Sequence, residues 1–137
     1  MRRNGWFSLF LLGGSIYVLL EKLWRGYSHW SMFLLGGFCF HLMGAVDRRC
    51  RQKRLWQRCL LCSLLITAAE FLCGCVVNLY LKLQVWDYRR FRTNLLGQIC
   101  LPYTLLWGAL SLVGMPLYRR LQTAAANIRK RTSVTFR

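Results

Sequence analysis

Long uncharged segments alternate along the chain with short clusters of arginine and lysine. Four segments are long enough to cross roughly 30 Å of hydrocarbon as helices that rise about 1.5 Å per residue. They run from Asn4 to Leu20, Gly26 to Val46, Cys59 to Leu81 and Thr93 to Tyr118. The pattern predicts an all-α, polytopic integral membrane protein. Its four transmembrane helices are expected at about residues 5–24, 30–46, 59–81 and 97–118 of a transmembrane domain covering 1–118, with a basic tail at 119–137.

One carboxylate interrupts the third segment. Glu70 lies near the middle of Cys59 to Leu81, which carries no other charge. An acidic side chain at the centre of a bilayer costs roughly 2.5 to 3.5 kcal/mol by insertion scales, so such residues usually face a partner, a cavity or a transport path. The sequence therefore predicts a polar site inside the helical bundle.

The positive charges predict an orientation. With the N-terminus in the cytoplasm, 14 of the 20 Lys and Arg residues fall on cytoplasmic segments and 6 on outer loops. Because cytoplasmic segments carry the excess of Lys and Arg, both termini are predicted to be cytoplasmic. Arg2 and Arg3 before the first apolar segment resemble the start of a signal peptide, but no small-residue cleavage site precedes Glu21, so an uncleaved first helix is expected.

A net charge of +16 raises the question of nucleic-acid binding. The densest basic cluster lies between two predicted helices, where Lys and Arg attract anionic lipid headgroups and Trp56 is an ordinary interfacial anchor. We therefore expect no nucleic acid and predict contact with anionic lipids. The residues concerned are Arg48, Arg49, Arg51, Lys53 and Arg54.

Cysteines and glycines both favour packing roles. The pairs Cys59-x-x-Cys62 and Cys73-x-Cys75 lie in apolar runs without the four ligands of a structural zinc site, so small apolar packing is expected, with no metal and no cofactor. The sequence Phe-Leu-Leu-Gly-Gly occurs at 10–14 and again at 33–37. Because small residues let helices approach closely in lipid, the repeat predicts the contact strip of a hairpin formed by the first two helices.

Polar residues converge on one end of the predicted bundle. At about 100° per residue, Thr67, Gly74 and Asn78 fall on the same face of the third helix as Glu70. In the predicted orientation this face leads to the outer loops. The candidate ligand- or ion-binding residues are Glu21, Arg25, His29, Glu70, Asn78, Trp86, Asp87, Tyr88, Asn94 and Gln98. A purely structural polar network explains the same residues, since Glu21 and Arg25 are spaced as an i,i+4 pair and His29 fits an interfacial position.

A resemblance to a known family follows from the order of several motifs. They are Glu21-x-x-Trp24-Arg25-Gly26, Glu70-x-x-x-Gly74-x-x-x-Asn78, Trp86-Asp87-Tyr88, Asn94-x-x-Gly97-Gln98 and Leu106-Trp107. Over about residues 10 to 110 the chain resembles the small bacterial membrane proteins called putative ABC-transporter type IV permeases. The resemblance implies a four-helix core, a bacterial cell-membrane location and transport. Arg89 stands where the family's WDYS-type loop has serine, and the usual following proline is missing.

Two functions remain open at this point. The first is a small transporter or permease-type subunit with an intramembrane carboxylate and an outward-facing polar cluster. The second is a non-transporting membrane interaction or lipid-binding module in which the same residues are structural. No catalytic triad order, metal motif or phosphate loop points to an enzyme. Because four helices enclose little space, we expect association with a second copy or a partner membrane subunit, and any ATPase must be a separate chain.

Overall fold

The computed structural model describes residues 3–135, with side chains for residues 5–134. Four helices form one bundle: α1 (Arg3–Arg25), α2 (Trp30–Arg49), α3 (Leu55–Gly74) and α4 (Leu101–Thr135). Cys75–Tyr80 continues α3 as a π-helical segment. Each helix, with α3 taken together with its π segment, is long and apolar enough to cross a membrane. The predicted all-helical fold with four such helices is confirmed, and the described residues contain an isolated bridge between Leu95 and Ile99 but no strand.

Helix α2 lies at the centre of the bundle and packs against the other three. Its inward face alternates small and large apolar side chains, which meet α3 and α4 in the main core. That core is formed by Met32, Leu35, Cys39, Met43, Val46, Cys59, Cys62, Ile66, Trp107 and Met115, among others. Three of the seven cysteines, Cys39, Cys59 and Cys62, therefore occupy apolar packing positions. Among the described residues, no three His, Cys, Asp or Glu side chains are grouped to hold a metal ion.

The repeated glycine pairs form the contact between α1 and α2. A Cβ at Gly14 would lie 2.5 Å from the backbone oxygen of Phe33, and one at Gly37 would lie 2.7 Å from that of Phe10. Gly13 faces Phe40 in the same way, and Gly36 faces Tyr17. The two copies thus cover each other reciprocally across an antiparallel hairpin. The prediction that these glycines are a packing strip agrees with this geometry.

Helix α4 begins four residues after the predicted start at 97. Leu96 and Gly97 have φ of 52° and 70°, which an α-helix of L-residues does not contain, so residues 97–100 belong to the preceding loop. At its other end α4 continues unbroken to Thr135, through the segment predicted as a tail. Arg2 and Arg137, which contribute to the predicted charge bias, lie outside the described residues, as does the side chain of Arg3.

Residues 81–100 form the longest connection and position the site. We call this segment the long loop. Three of its non-glycine residues, Lys82, Gln84 and Leu96, have φ between 50° and 56°, a region that costs L-residues roughly 1–2 kcal/mol. Such conformations persist where surrounding contacts hold the backbone in place. The contacts that do so here come from the end of α3 and from α1.

Candidate functional site

Glu70 joins three parts of the structure at the centre of the bundle. Its side chain projects from α3 and is only 2% exposed. Oε1 accepts a hydrogen bond of 2.9 Å from the Tyr88 hydroxyl of the long loop, and Oε2 accepts one of 3.1 Å from the Trp107 indole of α4. The carboxylate therefore has a hydrogen-bond donor on each oxygen.

Aromatic rings hold both donors in place. Tyr88 stacks on Tyr103 of α4 with ring centroids 4.8 Å apart, and Trp107 stacks on Tyr17 of α1 at 5.7 Å. Burial, reinforced by the charge of Glu70, raises the pKa of Tyr88 well above its usual value. The Tyr88 hydroxyl thus stays protonated and serves as a donor to Glu70.

The polar face predicted on α3 makes contacts along its length. Thr67 donates to the Thr104 hydroxyl at 3.1 Å, one turn below Glu70. Gly74, one turn above, leaves room for the long loop, since a Cβ there would lie 2.6 Å from Oε1 of Gln98. A larger residue at 74 would therefore push the loop away from the helix.

Asn78 and Gln98 fasten the long loop to the end of α3. The Asn78 amide nitrogen donates to Oε1 of Gln98 at 2.8 Å, and its oxygen accepts from the Val85 backbone at 2.7 Å. Trp86 adds an indole hydrogen bond of 2.9 Å to the backbone oxygen of Gln98. The π segment places Asn78 in this arrangement, because its i→i+5 bonds, such as Leu81 N–H to Val76 C=O, wind more loosely than an α-helix.

Arg25 fastens the loop to α1 as well. Both terminal nitrogens of its guanidinium donate to the backbone oxygen of Val85 at 3.3 Å. The same guanidinium pairs with Glu21 at 3.4 Å, and Glu21 also accepts from the Ser28 hydroxyl at 3.2 Å. The i,i+4 pair expected from the sequence is present, and it also orients Arg25 toward the loop.

His29 lies apart from these contacts. It is the N-cap residue of α2, where Nδ1 accepts from the Ser31 backbone at 3.2 Å and lies 2.7 Å from the Ser31 hydroxyl. Its ring also contacts Trp30. These contacts serve the start of the helix and do not connect His29 to Glu70.

Asp87 and Asn94 shape the long loop from within. Asp87 is exposed, and Oδ1 accepts from the Arg89 backbone at 2.9 Å. Asn94 donates to the Phe91 backbone oxygen at 2.6 Å and accepts from the Gly97 backbone at 3.0 Å. Of the ten predicted residues, the structure thus groups Glu70 with Tyr88, and Asn78, Gln98, Trp86, Arg25 and Glu21 around the loop attachments, while His29, Asp87 and Asn94 serve local turns.

An open pocket of about 840 Å³ lies between the long loop and the ends of α1 and α3. We call it the loop pocket. Four basic residues line it, together with one acidic residue, Asp87. The polar and aromatic lining includes Trp24, Arg25, Tyr27, Asn78, Lys82, Gln84, Trp86, Tyr88, Arg89, Arg90, Gln98 and Tyr103.

A second polar cluster closes the opposite end of the bundle. Asp47 at the end of α2 is buried and pairs with Arg58 of α3 at 2.7 Å and with Arg119 of α4 at 3.8 Å. The cluster ties three helices together at the end away from the long loop.

Trp107 and Tyr17 are the site residues that sequence reasoning did not select. Both lie in apolar helical runs, where an aromatic residue reads as packing or lipid contact. The available signal was that a buried indole N–H needs an acceptor. Glu70 is the acidic residue that lies near the middle of a predicted helix.

The chain matches a known protein family over most of its length. The family described as putative ABC-transporter type IV matches residues 8–136 of the chain. The search of curated proteins and the search of solved structures each found no match.

Proposed function

The chain belongs to the putative ABC-transporter type IV family, and on that premise we propose that it is a transporter or permease-type subunit gated at Tyr88. The family and the four apolar helices identify a transporter-related membrane protein. The proposal adds that the loop pocket is the access site for the transported ligand and that Glu70 is the coupling carboxylate.

One observation carries this proposal: Tyr88 belongs to the pocket and to the interior at once. Its ring lines the loop pocket, while its hydroxyl donates to Glu70 inside the bundle. A ligand that displaces Tyr88 from the pocket side removes a donor from the carboxylate. Conversely, a change in the protonation of Glu70 alters the hydrogen bond that holds Tyr88 in the wall of the pocket.

Protonation of Glu70 supplies the change. An ionised carboxylate accepts charge-assisted hydrogen bonds from Tyr88 and Trp107, which are roughly twice as strong as neutral ones. The indole N–H of Trp107 can only donate, so it requires an unprotonated oxygen. A proton on Glu70 therefore resides on the oxygen facing Tyr88 and replaces the strong bond by a neutral one. Proton binding is thus expected to loosen the long loop.

Hydrogen exchange of residues 82–100 tests this mechanism. After correction for the intrinsic exchange rate, loop exchange should rise as the pH falls in the unchanged protein. Glu70→Gln cannot titrate and should remove the pH dependence. Tyr88→Phe removes the hydroxyl that links the loop to Glu70 and should give fast exchange at every pH.

Tyr103→Phe is the matched control, because it deletes a hydroxyl from the ring stacked on Tyr88. It should keep the pH response. Five further titratable groups interact electrostatically with Glu70: Tyr17, Glu21, Cys39, Cys73 and Cys100. A response that persists in Glu70→Gln would belong to those groups and would reject the gate.

The second candidate is a non-transporting membrane interaction or lipid-binding module. It is favoured by the hydrogen bond that each Glu70 oxygen accepts, since a structural network requires partners for its buried polar atoms. In that case loop exchange is independent of pH in the unchanged protein. The same measurement therefore separates the two functions.

Several partners belong to the proposal. The exposed end of α2 and the connection to α3 would contact anionic lipids. Each basic side chain near an anionic membrane surface contributes roughly 1 kcal/mol of attraction. The residues concerned are Arg48, Arg49, Arg51, Lys53 and Arg54. A second copy or a partner membrane subunit would complete the transport path, and a separate chain would supply any ATPase. A bacterial cell-membrane location with cytoplasmic termini and a cytoplasmic segment at 119–137 completes the proposal.

A further inference from the structure

We propose that the loop pocket binds a phosphate-bearing anion through Lys82 and Arg90. The inference deepens the proposed function, since it rests on the loop pocket being the ligand site and names the class of ligand. It does not depend on titration of Glu70.

The loop pocket carries an excess of positive charge. Arg25 is paired with Glu21, and Arg89 lies 3.6 Å from Asp87. Lys82 and Arg90 line the same pocket, are exposed, and form no ion pair with any described residue. The pocket therefore carries two uncompensated positive charges.

Two of the three amides that line the pocket, those of Asn78 and Gln98, are not available to a ligand, whereas the exposed amide of Gln84 is a neutral donor beside the charged ones. The Asn78 amide donates to Gln98 and accepts from Val85, and the Gln98 amide donates to the Leu96 backbone oxygen at 2.8 Å. These groups are occupied in holding the loop. The charged donors that carry no ion pair are the ammonium of Lys82 and the guanidinium of Arg90, and two such cations favour an anion.

The arrangement of these donors favours phosphate over a lone carboxylate. Lys82 lies two residues after the π segment of α3, and Arg90 lies eight residues further along the long loop. Two separate cationic side chains suit a tetrahedral anion, which has oxygens on every side. A planar carboxylate presents its two oxygens along one edge, which matches a single guanidinium.

The position of the pocket allows two sources of phosphate. Trp24 and Tyr27 line the pocket at the end of α1 and are 81% and 59% exposed. Exposed Trp and Tyr at a helix end mark the level of lipid headgroups. The pocket is open and, at about 840 Å³, falls in the size range of small-molecule sites. A phospholipid headgroup and a soluble phosphate ester both fit.

Binding measurements on charge variants test the inference. The full chain is purified in dodecyl maltoside, and two probes are titrated: phosphatidylglycerol, followed by native mass spectrometry, and sn-glycerol 3-phosphate, followed by calorimetry. Lys82→Gln with Arg90→Gln should weaken the binding of at least one probe tenfold or more. Both residues are exposed, so the variant should fold.

The matched control is Lys22→Gln with Arg92→Gln. These residues are exposed, lie close in sequence to the pocket-lining segments and give the same charge change, but they do not line the pocket. The control should change either dissociation constant by less than twofold. Binding of phosphatidylglycerol alone identifies a headgroup site, and binding of glycerol phosphate alone identifies a site for soluble esters.

Three results would overturn the inference. The first is equal weakening of binding in both double variants, which indicates diffuse attraction. The second is that neither probe binds. The third is that succinate competes as strongly as glycerol phosphate. The proposed gate fails separately. If it is absent, loop exchange shows no pH dependence while phosphate binding survives. If only the ligand class is wrong, the pH dependence survives and phosphate binding does not depend on Lys82 and Arg90.

Discussion

Glu70 binds two donors of different capability. The Tyr88 hydroxyl can donate or accept, whereas the Trp107 indole can only donate. An amide at position 70 can therefore keep both contacts, with its oxygen toward Trp107 and its nitrogen toward Tyr88. A methyl group at this position can keep neither.

Glu70→Ala should consequently destabilise the fold far more than Glu70→Gln. The alanine variant leaves a buried hydroxyl and a buried indole N–H unpaired at about 1–3 kcal/mol each, whereas the glutamine variant should cost about 1 kcal/mol. Unfolding free energies of both variants in the same detergent check this. Equal losses would mean that the hydrogen bonds to Glu70 contribute nothing to stability.

Asp47 is a second buried carboxylate, and its partners are charged arginines rather than neutral donors. Arg58 is the nearer and more buried of its two arginines, at 2.7 Å against 3.8 Å for Arg119. Arg58→Gln should leave a buried carboxylate poorly compensated and cost about 3–5 kcal/mol. Arg119→Gln, at a half-exposed position, should cost less than about 1 kcal/mol. Thermal unfolding of the two variants in parallel tests the order, and a larger loss for Arg119→Gln would contradict it.

At the residue scale, sequence reasoning succeeded where periodicity applies. Thr67, Glu70, Gly74 and Asn78 repeat at helical spacing, and the structure directs all four toward α4 or the long loop. It did not select Trp107, because nothing in a single apolar helix shows which aromatic ring meets a carboxylate on another. His29 was grouped with the site by proximity in the predicted topology, although its local role as a cap depends only on its neighbour Ser31.

The hairpin of α1 and α2 is the element whose packing follows most directly from sequence. Each glycine of one repeat is covered by an aromatic residue of the other helix, as Gly36 is by Tyr17 and Gly13 by Phe40. The seven-residue offset from Phe10 to Tyr17 and from Phe33 to Phe40 places these rings equivalently. The hairpin thus has a local two-fold character.

Leucine at Gly36 should separate the two helices. The new side chain would meet Tyr17 at its Cβ, and overpacking of this kind costs about 1–3 kcal/mol. Gly5→Leu is the control on α1, since nothing lies within 4 Å of a Cβ at that position. Unfolding free energies should fall for the first variant and stay within about 0.5 kcal/mol for the second. Unchanged stability of the Gly36→Leu variant would place the Gly36 face toward lipid.

The start of α4 is a helix boundary that the hydropathy pattern does not predict. Residues 93–118 form one uncharged run, so composition does not distinguish the loop at 97–100 from the helix that follows. The boundary is set by Gly97 and Leu96 in the left-handed region and by Gln98, whose side chain is committed to Asn78. These are tertiary contacts that a hydropathy pattern does not contain.

At the scale of the whole molecule, orientation is the property that the charges predict. A phosphatase reporter fused after Arg90 should be active, because that enzyme folds outside the cytoplasm, whereas one fused after Arg137 should be inactive and a fluorescent protein there should be bright. The reverse pattern would place the loop pocket in the cytoplasm. The proposed gate at Tyr88 would not be affected, but a ligand would reach it from the cytoplasm.

Helix α4 extends well past the thickness of a bilayer. Its 35 residues span about 50 Å at roughly 1.5 Å per residue, and Pro116 lies between the Trp107 contact and the exposed final turns. Proline removes a backbone hydrogen bond and is a preferred point of bending. The 19 residues after Pro116, which end at Thr135, would act as a lever: each degree of bending at Pro116 would displace the far end by about 0.5 Å. A small movement of Trp107 beside Glu70 would then be enlarged at the exposed end of α4.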